Sequence, residues 1–178
     1  MKIIKNLKNS TLHNFKSWFY LIFVFTLLGC NSTPSKTDKL SVEKTLIINA
    51  PAAAVWDFAG GWAGLDVLAP ALIEEILSDG NTVGSVREIH LNGGGIIEEA
   101  MVEESATSYS YIIVKSPLPV SNYKSTISVK DIGNGQSKFS WKSDFIANGV
   151  SDEEAIKIFD GLYQGAVDVL KKNYSHEK

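Results

Sequence analysis

The succession of hydrophobic patterns predicts an α+β domain: a curved antiparallel sheet of about six to seven strands around one long C-terminal helix, with two short helices after the first strand. Three observations lead there. Between residues 72 and 147, six apolar-alternating segments follow one another with short, turn-rich joints, and short joints make neighbouring strands antiparallel. A single long amphipathic pattern closes the chain. Gly60-Gly61 and Pro70 cut the region between the first and second strands into pieces that suit only short helices.

The elements run as follows. Val42, Leu46 and Ile48 share one face of an extended segment that ends at Asn49-Ala50-Pro51. Pro51 suits a first helical position, where its missing N–H would have had no intrahelical partner. Ala52–Ala59 then forms a short helix stopped by Gly60-Gly61, and Trp62–Leu68 a second before Pro70. Strands are expected at Leu72–Ser78, Ser85–Leu91, Ile96–Glu104, Tyr109–Lys115, Ser121–Lys130 and Lys138–Ala147. Turns at Asp79-Gly80-Asn81, Asn92-Gly93-Gly94-Gly95 and Gly133-Asn134-Gly135 separate them. In the last helix Ser151-Asp152-Glu153-Glu154 is a capping box, with the serine as N-cap. Ala155, Ile158, Phe159, Leu162, Ala166, Val169 and Leu170 form its apolar stripe, and Lys171 and Lys172 complement the dipole at its far end. Gly161 and Gly165 interrupt this helix at a cost of about 1 kcal/mol each relative to alanine. Either they allow close approach to the sheet or to a ligand, or they are tolerated without a role.

Charge divides the chain. The 178 residues sum to −3, but all 20 acidic residues lie after position 30. Residues 1–29 carry Lys2, Lys5, Lys8 and Lys16 and no acid. Setting those four lysines aside leaves 13 basic residues against 20 acids, a charge of −7. Such a balance argues against a nucleic-acid partner, which would call for a basic face. The apolar run Trp18–Leu28 is too short to span a bilayer core of about 30 Å. It fits the apolar core of a secretory signal.

Leu27-Leu28-Gly29-Cys30 then resembles the lipobox of bacterial lipoproteins, in which the cysteine is freed by cleavage and acylated. The alternative is an ordinary signal or anchor with an incidental cysteine. The lipobox implies a signal peptide over 1–29, a lipidated Cys30 on a polar tether over 30–40, and a folded domain over 41–174. Asn31 after the cysteine, by analogy with lipoprotein sorting, implies a bacterial envelope protein held in the outer membrane and facing the periplasm.

The domain also resembles a known superfamily. Ile48-Asn49-Ala50-Pro51-Ala52-Ala53-Ala54-Val55-Trp56, Gly84-Ser85-Val86-Arg87, Gly95-Ile96-Ile97-Glu98, Tyr109-Ser110-Tyr111, Pro117-Leu118-Pro119-Val120 with Tyr123, Phe139-Ser140-Trp141 and the closing helix occur in its order and spacing. From Val42 to Asn173 the chain is similar to the SRPBCC (START-like, birch-pollen-allergen-like) superfamily, in its polyketide cyclase/dehydrase-like branch. The resemblance implies a helix-grip fold with a cavity between sheet and helix. It implies no single chemistry, since members include lipid carriers, hormone receptors and cyclases.

Strand alternation proposes which residues face that cavity: Arg87, Ile89 and Leu91; Glu98, Ala100 and Val102; Tyr109, Tyr111 and Ile113; Tyr123, Ser125, Ile127 and Val129; Phe139, Trp141, Ser143 and Phe145. Arg87, Glu98, Tyr111, Tyr123 and Trp141 are therefore the candidate ligand-binding residues, a few polar groups on an apolar face. Arg87, the single arginine, either binds a ligand carboxylate, phosphate or carbonyl, or forms a structural pair with Glu98 on the same hairpin. Glu98 is the one candidate acid or base, if the protein is an enzyme. His90 faces away from the cavity beside Glu88. Gly-x-Ser-x-Gly elbows, metal-ligand spacings and phosphate-binding loops are absent, so no cofactor and no metal is expected.

Three functions follow. The favoured one is a lipid-anchored envelope protein that binds a small hydrophobic or amphipathic ligand, with the membrane reached through its lipid. A cyclase-, dehydratase- or isomerase-type enzyme using Glu98 is the second. An accessory module with a cavity filled by its own side chains is the third. A cavity below about 300 Å³ would speak for the last.

Overall fold

The computed structural model describes residues 39–175. The signal segment, Cys30 and the tether as far as residue 38 lie outside the described residues. Seven strands form one antiparallel sheet: β1 (Leu40–Ile48), β2 (Ile73–Ser78), β3 (Val86–Leu91), β4 (Ile96–Ser105), β5 (Ser108–Lys115), β6 (Val120–Gly133) and β7 (Gln136–Ala147). Helix α1 (Ala52–Ala59) and a 3₁₀ helix (Trp62–Val67) lie between β1 and β2, and helix α2 (Asp152–Tyr174) ends the domain. This is the helix-grip architecture that the patterns predict.

The spatial order β1-β7-β6-β5-β4-β3-β2 explains the two short helices. β1 is one edge of the sheet and β2 the other, so the chain must cross the full width of the sheet between them. Pro51 sits at the N-cap of α1, one position before the expected one. Gly60 ends α1, and the indole of Trp56 lies where a Cβ at Gly60 would stand, so a larger residue would displace the ring. From β2 the chain returns as a meander to β7, which pairs with β1 over its full length. Register shifts in β2/β3, β4/β5 and β6/β7 mark bulges, each of which bends a strand and helps the sheet curve.

Helix α2 starts as its sequence requires. Ser151 Oγ accepts from the Glu154 N–H at 3.2 Å, and the Glu154 carboxylate accepts from the Ser151 N–H at 3.0 Å. Its Phe159, Tyr163, Ala166 and Leu170 are buried, and the helix packs on β1 and β7. Opposite them stand Phe139, Trp141 and Phe145 of β7, also fully buried. The rings interlock: Trp141 stacks on Tyr163 at 4.5 Å between centroids, and Phe145 meets Phe159 at 4.6 Å.

Candidate functional site

Between α2 and the other half of the sheet lies a cavity of about 680 Å³. Its walls come from the stretch between Leu65 and Ile73, from β3, β4 and β5, from Tyr123 of β6 and Trp141 of β7, and from one side of α2. That volume is in the range of small-molecule sites, and the walls are mostly apolar. An interior filled by its own side chains, which the accessory-module reading requires, is not what the fold contains.

Three of the five candidate residues line the cavity: Tyr111, Tyr123 and Trp141. Their polar atoms are tied into a buried network. The Trp141 indole N–H donates toward Tyr111 Oη at 3.1 Å and Ser125 Oγ at 3.0 Å. The Tyr123 and Tyr163 hydroxyls share a hydrogen bond of 2.8 Å. Burial pushes the Tyr111 and Tyr123 phenols well above their ordinary range and Tyr163 up to about 12. All three keep their protons.

Glu98 is a correction. It does not face the cavity; it points to the outer face, where Lys115 Nζ donates to it at 3.0 Å. The inward residues of β4 are Ile97, Glu99 and Met101, all buried, in place of Glu98, Ala100 and Val102. The reason is the β3–β4 hairpin. Leu91 N–H donates to the Gly95 carbonyl across the three residues Asn92-Gly93-Gly94, and each glycine from 93 to 95 takes a positive φ. That closure sets Ile89 opposite Ile97 and Arg87 opposite Glu99. The alternation of β4 carries apolar residues on both faces, so it could not choose the phase; the loop length could have.

Arg87 therefore has its structural partner, with Glu99 in the place expected for Glu98. Nε donates to Glu99 Oε2 at 2.8 Å, and Nη2 lies 2.6 Å from the same oxygen. Nη1 donates to the Trp62 carbonyl at 2.6 Å. The guanidinium lies 3.9 Å from the centroid of the Trp62 ring and 4.8 Å from that of Tyr111. Burial opposes its charge, but Glu99 and the neighbouring phenols outweigh burial and hold its pKa above the ordinary value. Arg87 is fully buried and lies behind the cavity wall, not on it. Glu99 is on the wall. Burial pushes its carboxyl upward, and Arg87 offsets that only in part. His90 stays away from the cavity, 3.5 Å from Glu88, as alternation predicts.

Helix α2 contributes a wall that its apolar stripe did not reveal. Ile158, Gly161, Leu162, Gly165 and Val169 all border the cavity. Neither glycine makes a close approach: a Cβ at either position would meet nothing within 4 Å. They widen the cavity. Among the described residues no group of acidic, histidine or cysteine side chains could hold a metal ion.

The pattern that defines the family described as polyketide cyclase/dehydrase and lipid transport matches residues 39–175. The chain belongs to that family. A solved protein from Bacillus cereus, XoxI, is 30% identical, with 76% of this chain and 96% of that one aligned at a TM-score of 0.65. The Zhui aromatase/cyclase from a Streptomyces strain aligns over 78% and 94% at 14% identity and a TM-score of 0.62. Norcoclaurine synthase from Thalictrum flavum, solved with dopamine and hydroxybenzaldehyde, aligns over 88% and 97% at 19% identity and a TM-score of 0.59. These last two share the fold. A search of curated proteins finds no match to the chain.

Proposed function

We propose that the protein binds a small hydrophobic or amphipathic ligand in the cavity between sheet and α2, and does so at the bacterial envelope, tethered through lipid on Cys30. The observation that carries the binding reading is the 680 Å³ cavity with apolar walls and few polar groups. A domain of this size gains stability by closing such a space, so an open one needs a use. The family description, which includes lipid transport, agrees. Tethering rests on the basic start, the apolar run and Leu27-Leu28-Gly29-Cys30.

A second reading, an enzyme of the cyclase or isomerase type, passes from Glu98 to Glu99. A buried carboxyl raised by burial at the edge of an apolar cavity is suited to proton transfer. The Arg87 contacts count against it, because both stabilise the charged form.

One experiment tests both halves of the proposal. The full chain is purified from its host's membranes and weighed by native mass spectrometry. Acyl groups on Cys30 and a non-covalently held small molecule are expected. An unmodified Cys30 would end the tether reading. An empty protein whose thermal midpoint does not move across a panel of lipids and aromatic compounds would end the binding reading.

A further inference from the structure

Resting on the cavity-binding reading, the geometry points to a ligand class: we propose that the cavity selects uncharged ligands carrying a hydroxyl group, which donates to Glu99 Oε1 and accepts from the Tyr111 phenol, and that it rejects carboxylates and phosphates. The first ground is how Arg87 is spent. An isolated guanidinium on a cavity wall would select anions. Here Nε donates to Glu99 Oε2 and Nη1 to the Trp62 carbonyl, while Nη2 makes no hydrogen bond but lies 2.6 Å from the same Oε2 and is buried off the cavity wall. Its face is covered by Trp62, and the group is fully buried behind the wall.

Glu99 supplies the second ground. It is only 5% exposed, and the space it borders is the cavity. Both Arg87 contacts fall on Oε2, so Oε1 takes neither. A carboxylate oxygen has more than one lone pair to satisfy, and one left without a donor in an apolar space is costly. A ligand hydroxyl would relieve that cost. A ligand carboxylate would instead set two negative charges side by side, with the one nearby cation already committed.

The hydroxyl needs a donor for its own oxygen, and Tyr111 stands on the same wall. Its Oη accepts from the Trp141 indole and still bears a proton. Tyr111 and Glu99 stand on adjacent strands, Glu99 opposite Ile113 and Tyr111 two residues along, and both border the cavity. Around them the walls are Ile89, Ile97, Ile113 and Leu162, fit for an apolar body of chain or ring type.

The test is a matched probe set: dodecanol, its methyl ether and dodecanoate, titrated calorimetrically into the full chain. Dodecanol should bind about tenfold or more tightly than the ether, the ratio expected for one hydrogen bond to a charged acceptor. It should outbind dodecanoate by at least as much. Glu99→Gln should lift the penalty on dodecanoate, and Tyr111→Phe should weaken dodecanol and the ether alike. The ranking on the unaltered protein decides the matter even if a variant fails to fold. Ether or dodecanoate binding as tightly as dodecanol would overturn the hydroxyl assignment and leave the cavity-binding reading standing. No binding of any of the three, by heat or by thermal shift, together with an empty protein from the host and an unmoved midpoint across the lipid and aromatic panel, would overturn both.

Discussion

The two halves of the sheet meet α2 in different ways. On the side of β1 and β7 the helix lies directly on the strands, and Phe139, Trp141, Phe145, Phe159 and Tyr163 fill the interface. On the side of β3 and β4 the helix stands off, and a cavity takes the place of side chains. The same helix serves both. Its Tyr163, Ala166 and Leu170 are buried in the core, Phe159 is buried with one side on the cavity, and Ile158, Gly161, Leu162, Gly165 and Val169 border open space. The first half holds the fold together, and the second leaves an open cavity. Arg87 on β3 and Glu99 on β4 belong to the second half.

Truncations to alanine should separate the halves most clearly. Phe145→Ala removes a ring from a filled interface and should cost about 3–5 kcal/mol, as such cavity-forming changes do. Leu162→Ala enlarges a space that is already open, and should cost about 1 kcal/mol or less. Urea denaturation of the two variants measures both. Comparable losses would mean that the cavity wall bears weight like the core, and the division would fall.

How much of this was legible in the sequence follows from the same division. Alternation placed the inward faces of β3, β5, β6 and β7, because large side chains recur on one face of each, although Ile112 and Val114 of β5 are apolar and face outward. It failed on β4, where Ile96 precedes Ile97 and Ala100 precedes Met101, so neither face is distinguished by polarity. There the phase comes from a hairpin loop, a non-local fact that Asn92-Gly93-Gly94 records only as a length. The α2 stripe was legible as apolar, but nothing in a helical period tells which apolar residues touch protein and which touch a void. Thus Ile158, a member of the stripe, is 39% exposed, and Tyr163, absent from the stripe, is fully buried.

Gly161 and Gly165 offer the next measurement. Each loses helix propensity relative to alanine, and neither is required by packing, since a methyl group at either site would meet nothing within 4 Å. Gly161→Ala and Gly165→Ala should therefore stabilise the empty protein by about 1 kcal/mol each. Ligand affinity should fall, because the added methyls stand in the cavity. Stability and affinity moving in opposite directions would be the mark of positions kept open for use. A gain in stability with unchanged affinity would show that the ligand does not reach this wall.

The smallest effect concerns Glu99 on the cavity wall. Burial holds the Glu99 carboxyl above its ordinary value of 4.5, so the folded protein binds that proton more tightly than the unfolded chain does. The stability this supplies is complete below about pH 4.5 and is lost as the pH rises through the folded value. Glu99→Gln has no such proton, so its stability should lack this decline while the unaltered protein's falls over the same interval. Parallel pH profiles of the two proteins would show that burial does not hold this carboxyl above its ordinary value. A saturating hydroxyl ligand sharpens the point. By donating to Oε1 it favours the charged carboxylate, lowers the folded pKa, and should shift the decline toward lower pH. A carboxylate ligand would shift it the other way, so the direction of that movement reads the chemistry at the wall without any need for turnover.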